Sequence, residues 1–119
     1  DAKKYLDSKG IPVRIWEMFK TLEELIATIR KRKESLVEES YTKKLLSDKN
    51  LSVKKVKEEI GELIEEIDKD PKLFFYSKRV HEAADVIYHL MVYLEANNIM
   101  IEDVMDELKK RQNRKNGLR

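Results

Sequence analysis

Apolar positions along the chain recur at spacings of three and four rather than in alternation, and this predicts helices throughout and no sheet. Over 16–33, Phe19, Leu22, Leu25, Ile26 and Ile29 repeat as one helix face would against a core. Ser40-Tyr41-Thr42 opens a short piece running through Leu46, and the turn-forming run Ser47-Asp48-Lys49-Asn50 closes it. Ser52 reads as an N-cap, after which Val53, Val56, Ile60, Leu63, Ile64 and Ile67 follow in register to about Asp68. Asp70-Pro71 marks a turn, because proline suits the first turn of a helix and disfavours helix in the residue before it. A third long helix is expected from about Leu73 to Ala96, ended by Asn97-Asn98, with a last amphipathic helix over 101–111. Gly10-Ile11-Pro12 breaks the chain near its start. The expected organisation is an extension or linker over 1–15, one all-α domain of four to five helices over 16–111, and a frayed basic tail over 112–119.

Length and composition narrow the chemistry. With 119 residues the chain can bury one core but not two. There is no cysteine, so disulfides and thiolate metal sites are excluded, and any metal must be held by oxygen or by His81 and His89. Hard cations become the default. No apolar run approaches the roughly 18 residues of a membrane span, and nothing near Asp1 reads as a signal peptide, so a soluble cytoplasmic protein without a membrane partner is expected. A formal net charge of +2 is close to balance and argues against nucleic acid as a partner. The basic runs at Arg30-Lys31-Arg32-Lys33, Lys43-Lys44 and Lys54-Lys55, taken singly, are solvated helix faces.

Two acidic motifs stand apart from that background. At 100° per residue, Val56, Ile60, Leu63 and Ile67 define the expected core face of the second long helix, and Glu59, Glu62 and Glu66 form a stripe beside it. Glu59 and Glu62 are three apart, so their carboxylates can converge. The stretch from Ala83 to Leu94 is apolar almost all round, which marks a buried helix, and only Asp85 and His89 within it are strongly polar. With Glu82 they form a stripe opposite the Ala83, Ile87, Leu90 and Leu94 face. A buried acid needs a counter-charge or a cation. Glu59 and Glu62 facing Glu82 and Asp85 would gather four carboxylates in one cleft, and a magnesium ion, which takes oxygen ligands and shares itself with phosphates, satisfies them. The alternative is a salt-bridged network with Lys78, Arg79 or nearby lysines. His89 suits a hydrogen-bonded role behind the ligands better than ligation, and Tyr88 and Tyr93 are read as packing residues.

The pattern Glu58-Glu59-x-x-Glu62, nineteen intervening residues, then Glu82-x-x-Asp85 resembles the signature of the all-α nucleoside triphosphate pyrophosphohydrolases, which include MazG-like enzymes and dimeric dUTPases. More of the chain resembles one family among them, the phosphoribosyl-ATP pyrophosphohydrolases of histidine biosynthesis. Ile29-x-x-Arg32-Lys33, Ser40-Tyr41-Thr42-x-Lys44-Leu45-Leu46, Lys55-Val56-x-Glu58-Glu59-x-x-Glu62 and Glu82-Ala83-Ala84-Asp85-x-x-Tyr88-His89-Leu90 stand in that family's order. Lys57 stands where the family usually has glycine, and Gly61 replaces a larger residue.

The resemblance implies magnesium-dependent hydrolysis of phosphoribosyl-ATP to phosphoribosyl-AMP and pyrophosphate, in a homodimer or larger assembly. It implies Glu59, Glu62, Glu82 and Asp85 as metal ligands and Glu58 as a further ligand or water-orienting base. Ser40, Thr42, Lys44, Arg32, Lys33 and Lys55 are its candidates for holding phosphates. Two other readings compete: a house-cleaning triphosphate pyrophosphohydrolase on the same scaffold, and a non-catalytic helical assembly module. The third long helix is apolar beyond the width that neighbouring helices would cover, which independently points to a partner copy.

Overall fold

The computed structural model describes residues 15–35, 40–69 and 76–114, all organised around helices. Five are present: α1 (Ile15–Glu34), α2 (Tyr41–Ser47), α3 (Lys49–Lys69), α4 (Tyr76–Ala96) and α5 (Ile101–Gln112), with no strand among the described residues. The all-α expectation therefore holds. Of the linker expected over 1–15, residues 1–14 lie outside the described residues and Ile15 opens α1; the turn at Asp70-Pro71 with the helix start near Leu73, and the last residues of the basic tail, also lie outside them.

Local chemistry sets the helix ends. Ser40 caps α2, its hydroxyl accepting from the Lys43 N–H at 3.1 Å. Asp48 ends α2 by donating its own N–H to the Lys44 carbonyl, and its carboxylate accepts the Leu51 N–H at 3.0 Å. That second contact starts α3 three residues ahead of the expected cap, so Ser52 is not the cap but a buried residue inside the helix. Asn98 adopts a left-handed φ of 59° after α4, and the Ile99 N–H reaches back to the Leu94 carbonyl at 2.9 Å, the hydrogen-bonded exit that Asn tolerates.

Helix α4 packs against every other helix, most extensively against α3. The two run antiparallel, since Glu66 of α3 meets Lys78 of α4 at 3.4 Å while Glu59 lies beside Glu82 and Asp85. Ile29 of α1, Leu45 of α2 and Val92 of α4 form the buried centre, flanked by Leu25, Leu46, Leu51, Tyr88 and Met91. Arg30 ties α1 to α4 and α5, reaching Glu95 at 3.3 Å and gripping both oxygens of Glu102 at 2.9 and 2.7 Å. That grip pulls the Glu102 carboxyl down to about 2.

The expected core faces need correction. On α3, the inward side carries Ser52 and Glu66, both buried, while Ile60, Ile64 and Ile67 are exposed. The helix is turned so that its glutamate stripe faces α4. On α4 the buried residues are His89, Val92 and Ala96, and Val80, Ile87 and Leu90 face outward. Phe19 of α1 is likewise exposed rather than packed on the core. The physical reason is that polar groups, Glu59 and Glu66 of α3 with Glu82, Asp85 and His89 of α4, occupy inward positions of the two helices, which leaves Ile60, Ile64, Ile67, Val80, Ile87 and Leu90 exposed.

Gly61 sits on exposed α3 backbone, and an added Cβ would meet nothing within 4 Å. Gly61→Ala is expected to raise stability by about 0.5–1 kcal/mol, because a mid-helix glycine loses more backbone freedom on folding than alanine. The midpoint of denaturant unfolding measures this. A lower midpoint would place another surface against Gly61.

Candidate metal centre

Carboxylate oxygens of Glu59, Glu82 and Asp85 lie within 4.8 Å of one another, all three residues half-buried between α3 and α4. Antiparallel packing explains the meeting: Glu59 is halfway along α3, and Glu82 and Asp85 are one turn apart on the facing side of α4. Glu62, exposed and one turn beyond Glu59, lies against both Glu59 and Glu82. Four acids read separately from the sequence thus come together in one place.

Electrostatics mark the cluster as incomplete. Burial first, then the charge of Glu62 and contact with it, then Asp85, push the Glu59 carboxyl above its ordinary range, with His89 opposing. Glu82 is raised by burial first, then by Glu62 and Asp85, with His81 opposing. One oxygen of Glu59 and one of Glu82 are buried and have no hydrogen-bond partner among the described residues. Buried acceptors are normally satisfied, and two orphaned carboxylate oxygens beside a third carboxylate would be satisfied by a cation bound among them. The donor set is all hard oxygen, which suits magnesium or manganese. The residues fit such an ion.

His81 and lysines cover the margins rather than filling the centre. His81 Nε2 is 3.4 Å from Asp85 but the ring is largely exposed. Lys78 pairs with Glu66. Glu58 is outside the three-carboxylate cluster, pairing with Lys55 at 3.2 Å and Lys54 at 4.0 Å. The expected alternative of a network neutralised by Lys78 and Arg79 gains no support, since Lys78 pairs with Glu66 and two buried nitrogens of Arg79 have no hydrogen-bond partner among the described residues.

The basic candidates divide by position. Lys55 stands at the edge of the cluster, its amine raised first by the hydrogen bond to Glu58 and then by the charges of Glu58, Tyr41 and Glu59. Lys44 lines an open groove on α2 with Ser40, Tyr41, Lys43, Ser47 and Asp48. The Ser40 hydroxyl serves as the cap, and Thr42 bonds to the Tyr88 hydroxyl. Lys33 is committed elsewhere, donating to the Glu95 carbonyl and to Asn98, each at 2.9 Å. Glu95 is ten residues beyond Asp85 on α4, about 15 Å along the axis. Arg32 lies beside Lys33 at the same end of α1.

Residue-type reasoning passed over two features: the basic groove includes Lys43, and Tyr41 contacts His89. The signal for the second was present in the buried position of His89, which needs partners for both ring nitrogens. His89 is hydrogen-bonded at both ring nitrogens, to the Tyr41 hydroxyl and to the Asp85 carbonyl oxygen.

The phosphoribosyl-ATP pyrophosphohydrolase family model matches residues 22–112. The phosphoribosyl-ATP pyrophosphatase of Haloarcula marismortui is 37% identical over 94 residues, covering 76% of this chain and 92% of that protein. The phosphoribosyl-ATP pyrophosphatase of Bacillus cereus strain B4264 is 42% identical over 88 residues, covering 73% and 78%. The chloroplastic histidine biosynthesis bifunctional protein hisIE of Arabidopsis thaliana is 36% identical over 96 residues, but the match spans only 33% of its length. No solved structure matches the chain. With residues 22–112 matched, the chain belongs to the phosphoribosyl-ATP pyrophosphohydrolase family.

Proposed function

We infer that the protein hydrolyses the α–β phosphate bond of phosphoribosyl-ATP, releasing phosphoribosyl-AMP and pyrophosphate, as a magnesium-dependent step of histidine biosynthesis in the cytoplasm. The observation that carries this reading is the convergence of Glu59, Glu82 and Asp85 with two orphaned, buried carboxylate oxygens. Glu59, Glu82 and Asp85 hold the cation in this reading, with Glu62 at their open side. The bound cation supplies charge neutralisation for the phosphates, the main requirement of phosphoryl transfer. Glu62 is the most exposed of the four and accepts a proton from the attacking water. Lys55 and the groove lysines Lys43 and Lys44 receive phosphate oxygens, while Ser40 lines that groove and Thr42 bonds to Tyr88. Arg32 and Lys33 have the weakest support, because Lys33 already serves the far end of α4. Glu58 holds Lys55 in place.

Pyrophosphate release from phosphoribosyl-ATP, compared with a panel of ordinary and damaged nucleoside triphosphates, tests the substrate. Release from phosphoribosyl-ATP is expected to exceed the panel by at least roughly two orders of magnitude in kcat/KM, since a built site rejects ligands that leave its polar groups unpaired. Preference for a triphosphate would favour the house-cleaning reading.

The working form in this reading is a homodimer. Ile60, Ile64 and Ile67 of α3 and Val80, Ile87 and Leu90 of α4 leave large apolar side chains exposed on the two helices that build the site. A two-fold copy covering this face is the simplest sink for it. Sedimentation at micromolar concentration is expected to give twice the protomer mass, and Ile64→Asp to shift it toward one. A monomeric wild type would remove the dimer from this reading. No helix among the described residues is long and apolar enough to cross a membrane, so this face is not a membrane span.

A further inference from the structure

One turn beyond Asp85, the buried His89 ring is held at both nitrogens. Nδ1 lies 2.8 Å from the Asp85 carbonyl oxygen, and Nε2 lies 3.0 Å from the Tyr41 hydroxyl. A carbonyl can only accept, so Nδ1 donates to it, and in the neutral ring Nε2 accepts from Tyr41. Burial, the largest influence, raises the Tyr41 phenol, with Lys55 opposing and Tyr88, Glu59 and Glu58 adding to the rise, so the hydroxyl keeps the proton it donates. The neighbouring pair repeats the contact, Thr42 bonding to Tyr88, and both tyrosine rings meet the imidazole edge-on at 4.9 and 5.8 Å. Two successive residues of α2 therefore grip two successive residues of α4. Helix α2 has only 7 residues, too few to hold a helical shape unaided, so docking on α4 fixes where it stands.

We propose that Tyr41 and His89 are positioning residues for the reaction: Tyr41 fixes the His89 ring, the ring holds the backbone of the Asp85 turn, and the Asp85 carboxylate is thereby kept in place for a divalent cation. The same contact sets the basic groove of α2 in register with the carboxylates, since Tyr41 lines that groove. This rests on the carboxylate reading given above. It assigns a role to the tyrosine of the Ser-Tyr-Thr element, whose hydroxyl points at a histidine rather than serving as a cap.

Manganese binding to the nucleotide-free protein, followed by the electron paramagnetic resonance of free Mn2+, is read beside kcat and KM for Tyr41→Phe, His89→Asn and the double variant. Phenylalanine keeps the ring packing and removes only the donated hydrogen bond. Asparagine can still donate to the Asp85 carbonyl but does not reach Tyr41. Tyr41→Phe is expected to weaken manganese roughly tenfold and to lower kcat by a similar factor, the scale of losing a group behind a metal ligand. KM is expected to change less than about twofold, as for loss of an interaction that matters only in the transition state. Adding Tyr41→Phe to His89→Asn should cause no further loss, because the tyrosine acts through the histidine.

Full manganese affinity and kcat in Tyr41→Phe, even with a lower melting temperature, would reduce the contact to packing and overturn the proposal. Losses that multiply in the double variant would overturn it too, by making Tyr41 act directly on substrate or metal. Should Tyr41→Phe not fold, His89→Asn alone must show the weakened manganese binding. A wild type that holds no manganese overturns the carboxylate reading and the proposal with it, whereas equal binding by wild type and Tyr41→Phe overturns the proposal alone.

Discussion

Asp85→Asn is expected to lower kcat/KM for pyrophosphate release by at least roughly two orders of magnitude, the scale of removing one group that stabilises developing charge in a closed site. The substitution keeps the shape of the side chain and removes its charge. It also leaves untouched the Asp85 carbonyl that accepts from His89, so the turn itself is retained. Unfolding is therefore not expected to explain the loss, and circular dichroism with a melting curve checks that point. Glu58→Gln is the matched comparison. Glu58 pairs with Lys55 and Lys54 and stands outside the three-carboxylate cluster, so its loss is expected to stay below roughly tenfold. Equal losses in the two variants would mean that the site extends around α3 to Glu58, and an active Asp85→Asn would dismiss the cluster as the reaction centre.

In the absence of metal, Glu59→Gln is expected to raise the melting temperature at neutral pH while it abolishes most of the stabilisation that magnesium brings. The folded protein binds the Glu59 and Glu82 protons more tightly than the unfolded chain, because burial and neighbouring carboxylates disfavour their charges. A group raised in this way favours folding fully only below its ordinary range. That contribution is lost as pH rises from the ordinary range through the raised value. Metal-free wild type should thus lose stability across this window, and Glu59→Gln should lose less. Magnesium reverses the penalty by occupying the folded state alone, which is worth about 2.7 kcal/mol at a hundredfold excess over Kd. Melting curves with and without magnesium at two pH values measure all of this. A wild type indifferent to magnesium, with Glu59→Gln no more stable than it, would return the acids to ordinary surface chemistry.

Much of this was legible from residue order. Apolar spacing marked the long helices, because helical periodicity is a local property that needs no knowledge of neighbours, while the short α2 was bounded only by Ser40-Tyr41-Thr42 and the turn run from Ser47. The turn residues Asp48, Asn97 and Asn98 marked breaks for the same reason, although the dual use of Asp48 as the end of one helix and the start of the next moved the α3 boundary. The acidic pairs were visible because a one-turn spacing places two carboxylates together on any helix, and Asp85 stood out as a charge in an apolar run.

Only the tertiary structure decided which faces look inward. Periodicity assigned Ile60 and Ile67 to the core, yet the protomer buries Glu66 and half-buries Glu59 instead, and it leaves the isoleucines outside. A sequence pattern distinguishes an apolar face from a polar one but carries no label for which of them a neighbouring helix will cover. Likewise, no spacing rule brings Tyr41 to His89 across 48 residues, or takes Lys33 to the far end of α4. Those contacts depend on how α1, α2 and α4 cross, which is settled by packing around Ile29, Leu45 and Val92 rather than by any local preference.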